Sequence, residues 1–367
     1  MAWSASDLPV RPGVYTNFED LAEQPLQGGI RGVVAIPLQN YDGEAEPGKV
    51  YTIERRSEAY DLFGVENSRS IELALGGGAS LVRVYTMPEP EVPEDPEEPE
   101  PEVMEEPQTV VTNMLETLET EDFNVLVLDG QHDQETQMAA KEAVNEWKDA
   151  DKHVFLVIGG SAEDDEDYEV GNTRSGLFED DYVVNLINGV EINEEVYNSA
   201  TYAPYIAGMI AGLRLNETLT YKTVPANDVN NRLRSSEIVE SINAGSLVLI
   251  NDGRNVKVEK GITTTGEFIR SIATRHAILN DLPIILSTNV VAQIDNNEDG
   301  RETVVSMIKR YLETLVSDGA ISGDQGEEPT AYVDPENPPQ RDAAFFVVEY
   351  TDAYTLERVF LTVKRMG

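Results

Sequence analysis

Two apolar runs separated by a helix-length gap constrain this chain more than any other feature. FNVLVL at 123–128 and VFLVI at 154–158 are short and apolar throughout, the pattern of strands buried on both faces. Between them, Ala140, Ala143, Val144 and Trp147 fall at i, i+3, i+4 and i+7 of a helix over 134–149. Strand, helix and strand in that order predict a parallel pair joined by a right-handed crossover. A parallel sheet needs cover on both faces, so the rest of the chain must supply further helices. A length of 367 residues suffices for two or three domains.

The flanking segments supply them. Strands are expected at 32–37, 50–54 and 81–86, with short helices at 57–63, closed by Gly64, and at 71–75. Gly76-Gly77-Gly78 reads as close backbone packing at a helix-to-strand turn. Runs 182–187 and 190–192 flank Asn188-Gly189, a hairpin signal. Ser199 opens a helix that carries Tyr202, Ile206, Met209, Ile210 and Leu213 on one face, and its Gly208–Gly212 spacing suggests close packing on a sheet. Then come a helix at 236–244, a hairpin of 247–251 with 256–260, and helices at 266–280 and 301–317. IILSTNVVAQI at 284–294 reads as extended and 318–342 as loop. Runs 344–350 and 356–364 close the chain as two strands, with Val359, Leu361 and Val363 on one face of the last. Residues 1–30 read as an extended arm broken by Pro9, Pro12 and Pro25. The fold class is α/β with α+β character: a βαβ core carrying extended N- and C-terminal β arms.

Charge excludes several functions. The chain has 68 acidic and 27 basic residues, a net −41. Such a surface repels nucleic-acid phosphate and anionic membranes, so neither is an expected partner. Residues 88–107, PEPEVPEDPEEPEPEVMEEP, hold 7 prolines and 10 acids, which predicts an exposed extended loop. The excess is spread along the remaining sequence as well, which favours adaptation to salt or alkali over one acidic face for a basic partner. Absence of cysteine removes disulfides, thiolate metal sites and a cysteine nucleophile. The first residues, MAWSASDLPVRPG, lack the pattern of a signal peptide, and no apolar stretch approaches the roughly 20 residues of a membrane span.

Chemical motifs fail where their chemistry needs them. Gly43–Lys49 has P-loop spacing, but Val50 replaces the Mg²⁺-binding hydroxyl and a strand follows where a helix N-terminus must face phosphate. GGSAE at 159–163 is similar to a nucleophile elbow, yet it lacks the last glycine and runs into acidic residues that oppose an oxyanion. Asp295, Asn297 and Asp299 match the first half of a calcium loop, while Ser306 stands where the bidentate Glu belongs. An acidic turn capping helix 301–317 is the plainer reading. His132, in a loop beside Asp133, carries no assigned role. No cofactor and no catalytic constellation are expected. The alternatives carried forward are an α/β enzyme built on 123–160 and a calcium-binding surface protein built on 295–300.

The order of segments resembles the contractile-tail sheath proteins of phages and prophages. The resemblance rests on Pro12-Gly13-Val14-Tyr15, VYTIERRSEAYDLFG (50–64), GGGASLVRVY (76–85), YAPYIAGMIAGLRLNETLTYK (202–222), EIVESINAGSLVLINDGRNVKVEKGITT (237–264), NNEDGRETVVSMIKRYLETLVSDGAI (296–321) and the final VVEYTDAYTLERVFLTV. It implies an N-terminal arm at 1–30, a first part of the sheath core at 31–87, the acidic loop at 88–107, an α/β sheath domain at 108–235, a C-terminal sheath domain at 236–342 and a C-terminal β arm at 343–367. The loop would mark a reduced outer domain. It further implies a structural subunit, not an enzyme, that polymerises as stacked six-fold rings around an inner tail tube and contracts without nucleotide. Neighbours would be joined by strand addition through Val10, Val14 and Tyr15, through Phe346, Val348 and Tyr350, and through Val359, Leu361 and Val363. Arg301, Lys309 and Arg310 are the candidate contacts to the inner tube. Other partners would be baseplate and tail terminator proteins, and the particle, a virion or phage-tail-like assembly, would form in the host cytoplasm.

Self-repulsion of so acidic a subunit makes assembly salt-dependent. At about 1 M salt the Debye length falls to roughly 3 Å, so polymer should form more readily there than in dilute buffer. Sedimentation at both salt concentrations checks this, and equal pelleting would count against it.

Overall fold

The computed structural model describes residues 31–88 and 107–366. The predicted arm with Val10, Val14 and Tyr15, and residues 89–106 of the Pro/Glu run, lie outside the described residues.

The first segment forms β1 (Val33–Leu38), β2 (Val50–Ile53), α1 (Arg56–Phe63), α2 (Arg69–Gly77) and β3 (Leu81–Thr86). All six residues of β1 are buried, as its apolar sequence demands. β3 lies parallel to it with Val33 opposite Leu81, and β2 runs antiparallel on the outer edge of β3. The next segment forms α3 (Pro107–Glu119), β4 (Val125–Val127), α4 (Gln134–Asp149), β5 (Phe155–Ile158), α5 (Tyr168–Leu177) and β6 (Val183–Leu186). β4 pairs with the other side of β1, Val34 opposite Val125, and β5 and β6 follow outward in parallel. The predicted βαβ unit is therefore present. Asp133 caps α4 through the backbone N–H groups of Glu135 and Thr136, and Ala140, Ala143, Val144 and Trp147 form its buried face.

After β6 come β7 (Val190–Ile192), β8 (Glu195–Tyr197), α6 (Ser199–Ala211), β9 (Thr223–Val224), β10 (Asp228–Val229), α7 (Ser235–Asn243), β11 (Ser246–Leu247), β12 (Leu249–Asn251) and β13 (Val256–Val258). β11 pairs in parallel with β6 and completes the seven-stranded order β11-β6-β5-β4-β1-β3-β2. One sheet thus takes strands from the predicted segments 31–87, 108–235 and 236–342. The chain winds outward from β1 in both directions, so right-handed crossovers put α2 and α4 on opposite faces. Two three-stranded sheets, β10-β7-β8 and β12-β13-β9, flank it. The predicted second hairpin is β12–β13.

The predicted turn at Asn188-Gly189 is not a hairpin. The Asn188 side chain is buried and works as a strand partner: its Oδ1 accepts from Leu249 N at 2.9 Å and its Nδ2 donates to Leu249 O at 2.8 Å. Gly189 is needed because an added Cβ would fall on the Tyr197 carbonyl oxygen. The hairpin lies one strand later, where Asn193 and Glu194 both take positive φ, 52° and 70°, between β7 and β8.

Helix α6 packs on β1, β4 and β5, and its Gly208–Gly212 pair faces α2 rather than the sheet. A Cβ at Gly208 would meet the Ala74 carbonyl oxygen, one at Gly212 the Gly78 carbonyl, and one at Gly77 the Tyr205 carbonyl. Two backbones therefore touch where side chains usually intervene. The glycine run after Leu75 serves this crossing as well as the turn into β3.

The last segment forms α8 (Ile269–Asn289), α9 (Glu298–Ser317), β14 (Thr330–Val333) and β15 (Phe346–Glu349). α8 runs nine residues beyond its predicted end and includes Pro283, so the extended reading of 284–294 is wrong. An interior proline costs about 3 kcal/mol. Burying Ile278 and Ile285 at about 1.5–3 kcal/mol each offsets it. β14 lies inside the stretch read as loop, and it pairs antiparallel with β15, Ala331 opposite Val348. A second hydrophobic cluster joins α8, α9 and this hairpin, apart from the sheet core. Ile269 and Ile272 belong to the sheet core and Ile278 and Ile285 to the second cluster, so α8 spans both.

Glycine-to-alanine exchange in a helix normally stabilises by about 1 kcal/mol. That sign should hold for Gly176→Ala in α5, where an added Cβ meets nothing within 4 Å. Gly208→Ala should destabilise by about 1–3 kcal/mol through overpacking. Urea midpoints of both variants check the pair, and a neutral or stabilising Gly208→Ala would refute the close crossing.

Candidate functional site

Among the described residues the most exposed apolar side chains lie near the C-terminal end. Residues 353–366 form no helix or strand. Leu356, Phe360, Leu361 and Val363 are 83%, 90%, 84% and 92% exposed, and Val359 is 65% exposed. The predicted strand over 356–364 is thus absent from the single chain. Its alternation is intact, but a strand needs a neighbour to take its N–H and C=O groups. Two side chains tie this segment down: the Thr220 hydroxyl donates to Glu357 Oε1 at 2.7 Å, and the ring of Tyr354 meets that of Phe268 edge-on at 5.9 Å.

Phe346, Val348 and Tyr350 are placed differently. They are half-buried against the second cluster, and β15 is paired with β14. The run 344–350 is therefore one half of an internal hairpin in this chain, not a free arm. Within its two-stranded sheet each strand has one neighbour, which leaves an outer edge on both. The sequence reading missed β14 because Pro329, Pro335 and nearby acids mask it. Its signal is the short TAYV alternation that buries Ala331.

The three basic residues of α9 do not share a face. At about 100° per residue, Arg301 and Arg310 point in opposite directions with Lys309 between them. Arg301 donates to Asn296 Oδ1 at 3.0 Å, and Lys309 and Arg310 are exposed. The buried stripe of the helix is Val304, Ile308, Tyr311, Leu312 and Leu315, an amphipathic spacing that packs α9 onto the second cluster.

Structure assigns plain roles to the chemical motifs. Asn297 caps α9, its Oδ1 accepting from Gly300 N at 2.8 Å, and Asp299 lies in the first helical turn. Among the described residues no group of three His, Asp or Glu is placed to hold a metal ion, Asp295 and Asp299 included. Ser161 Oγ accepts from Asp164 N at 3.1 Å, closing a turn. His132 is exposed.

The crevice where a parallel sheet usually holds small molecules lies at the strand ends where the winding reverses. Here Asp129, following β4, fills it: its carboxylate accepts from Gln39 N at 3.0 Å, after β1, and from the Ser70 hydroxyl on α2. Burial raises the Asp129 carboxyl above its usual range against the pull of those donors. Nearby, Asp165 is buried and accepts from Ser199 N at 2.7 Å, Ser199 Oγ at 2.5 Å and Asn230 Nδ2 at 2.6 Å. Desolvation pushes it up to about 6 despite these donors. Both acids fasten loops to the sheet end and to the start of α6. The sheet end thus carries buried, hydrogen-bonded carboxylates, and the C-terminal tail is exposed and unpaired among the described residues.

Comparison with known proteins identifies the family. The signature of the phage tail sheath protein central domain matches residues 109–264, and that of the phage tail sheath C-terminal domain matches 263–363. The chain belongs to the phage tail sheath protein family. It is 28% identical over 237 residues to the phage-like element PBSX protein XkdK of Bacillus subtilis, covering 59% of this chain and 48% of that protein. The chain thus spans about half the length of the curated relatives it matches. The sheath tail protein of Desulfitobacterium hafniense shares the fold at TM-score 0.70 with 20% identity, covering 93% of this chain and 100% of that one. The contracted helical sheath of the anti-feeding prophage does so at 0.69 with 15% identity, covering 98% and 100%.

A segment with so few ties should add little to folding. Removing 355–367 deletes the Thr220–Glu357 hydrogen bond and little packing, so unfolding free energy should change by less than about 1.5 kcal/mol. A larger loss in denaturant titration would mean that the tail is part of the fold.

Proposed function

We propose that this chain is the structural subunit of a contractile tail sheath, polymerising as six-fold rings around an inner tube and contracting to drive the tube through a target envelope. One observation carries the reading: among the described residues the alternating apolar tail at 353–366 has no strand partner, and β14 and β15 pair only with each other. A tail of one subunit added to the edge of the next would bury Val359, Leu361 and Val363 and satisfy both backbones. Main-chain pairing of this kind tolerates rotation and shift between bodies, as contraction requires. Val10, Val14 and Tyr15 would serve a second link. Phe346, Val348 and Tyr350 belong to the receiving hairpin.

The inner tube, the baseplate and a tail terminator are the further partners, with Lys309 and Arg310 of α9 facing the tube. The particle is phage-tail-like and assembles in the host cytoplasm. No cofactor or catalysis enters, and the energy of contraction resides in the assembled lattice. The acidity suits a saline or alkaline setting.

Negative-stain electron microscopy of the full chain and of the 355–367 deletion, in dilute and concentrated salt, tests the proposal. Tubes are expected from the full chain and none from the truncated one. Compact monomers from the full chain under every condition, or tubes that survive the deletion, would overturn it.

A further inference from the structure

Among the described residues two of the chain's three histidines meet inside the protein. His153, just before β5, and His276, on α8, are both buried, with ring centroids 6.0 Å apart. His276 also packs on Phe155 at 4.5 Å and Tyr182 at 4.2 Å. Its Nε2 is buried and has no hydrogen-bond partner among the described residues. His153 Nδ1 is hydrogen-bonded to the Tyr182 hydroxyl at 2.8 Å. Asn280, one turn beyond His276, clamps the backbone of His153: its Oδ1 accepts from His153 N at 3.1 Å and its Nδ2 donates to His153 O at 2.9 Å. The pair thus sits where α8 passes from the sheet core to the second cluster.

The surrounding charges make protonation costly. Lys148 of α4 lies 4.6 Å above the Tyr182 ring and Arg275 of α8 lies 5.6 Å from it. Asp181, beside β6, is occupied by Arg275 at 2.8 Å. Asp281 of α8 is held by Arg31 and by the Tyr311 hydroxyl of α9. Tyr350 and Asp352, beyond β15, act on the arginines of α8. Asp151, before β5, acts on His153 and opposes its loss of charge. Desolvation leads, with Lys148 and Arg275 adding to it, in holding both imidazoles below their ordinary range, His276 further than His153. A small cavity of about 60 Å³, lined among others by His153, His276, Asn280 and Asp281, adjoins the pair.

The geometry points to an acid-sensitive latch: His153 and His276, both neutral, hold α8 and the C-terminal unit behind it on the sheet, and protonation of the pair opens that contact. The sign follows from linkage. A histidine whose value is depressed in the folded state contributes stability above its unfolded value of about 6.5 and loses it as pH falls below that. The latch is internal to one subunit and independent of assembly.

Hydrogen exchange of the α8 amides in the full chain, corrected for intrinsic rates, tests it. From pH 6 to pH 5, two protons taken up on opening raise the opening equilibrium up to about 60-fold, and one proton about 8-fold. The wild type should approach the first figure, and His276→Phe should fall to the second. An unchanged pH response in His276→Phe, or exchange in the wild type that ignores pH, would overturn the latch. Should His276→Phe not fold, wild-type histidine NMR decides. The ring signals of His153 and His276 should shift only as α8 loses protection. Either buried ring titrating normally with α8 still protected would sink the proposal.

Discussion

The approach of α6 to α2 is the constraint on which the rest of the fold depends. With glycine at 77, 208 and 212 the two helices meet backbone to backbone, which lets α6 sink onto β1, β4 and β5. Twelve of the thirteen residues of α6, all but the half-buried Thr201, are consequently shielded. That depth places Ser199 at the sheet end, where it bonds to Asp165 and Gly160. Hydrogen bonds at the sheet end are therefore consequences of a packing decision made on the face.

The second half of the architecture rests on α8. It leaves the sheet core after Ile272, passes the histidine pair and enters the second cluster at Ile278. Arg270 fixes its start, donating to the Leu215 carbonyl at 3.1 Å and the Gly319 carbonyl at 2.7 Å. The hairpin β14–β15 and the exposed tail are thereby held at a defined distance from the sheet by one helix. The strand addition proposed above would need that, since an edge strand can recruit a neighbour only if its own support is rigid.

How much of this was legible in the sequence depended on range. The βαβ unit could be read because its signals are local: apolar runs for β4 and β5, a 3.6-residue period for α4, Asp133 as cap. Helix α9 was legible for the same reason. Asn188-Gly189 misled because the same dipeptide that favours a tight turn also lets a buried amide serve as a strand partner, and only the position of Leu249 decides between them. Pro283 misled because proline ends most helices, and the cluster that outweighs it is assembled from α9 and β14 far along the chain. The tail was legible as a strand by alternation and is not one alone, since a strand is a property of a pair. Asp129 and the histidine pair were out of reach. Their significance lies in partners on other strands and helices, and neither leaves a spacing to find.

The span of α8 across two clusters also has a mechanical meaning. Once the Thr220–Glu357 and Tyr354–Phe268 ties give way, a pull on the tail is carried through the β14–β15 hairpin and the small second cluster into α8 and then into the sheet, so the two cores bear load in series. In such a chain of supports the weaker one yields first. Tension applied to the tail is thus expected to loosen the C-terminal unit while the seven-stranded sheet keeps its shape, which makes the chain a stiff block with a built-in fuse.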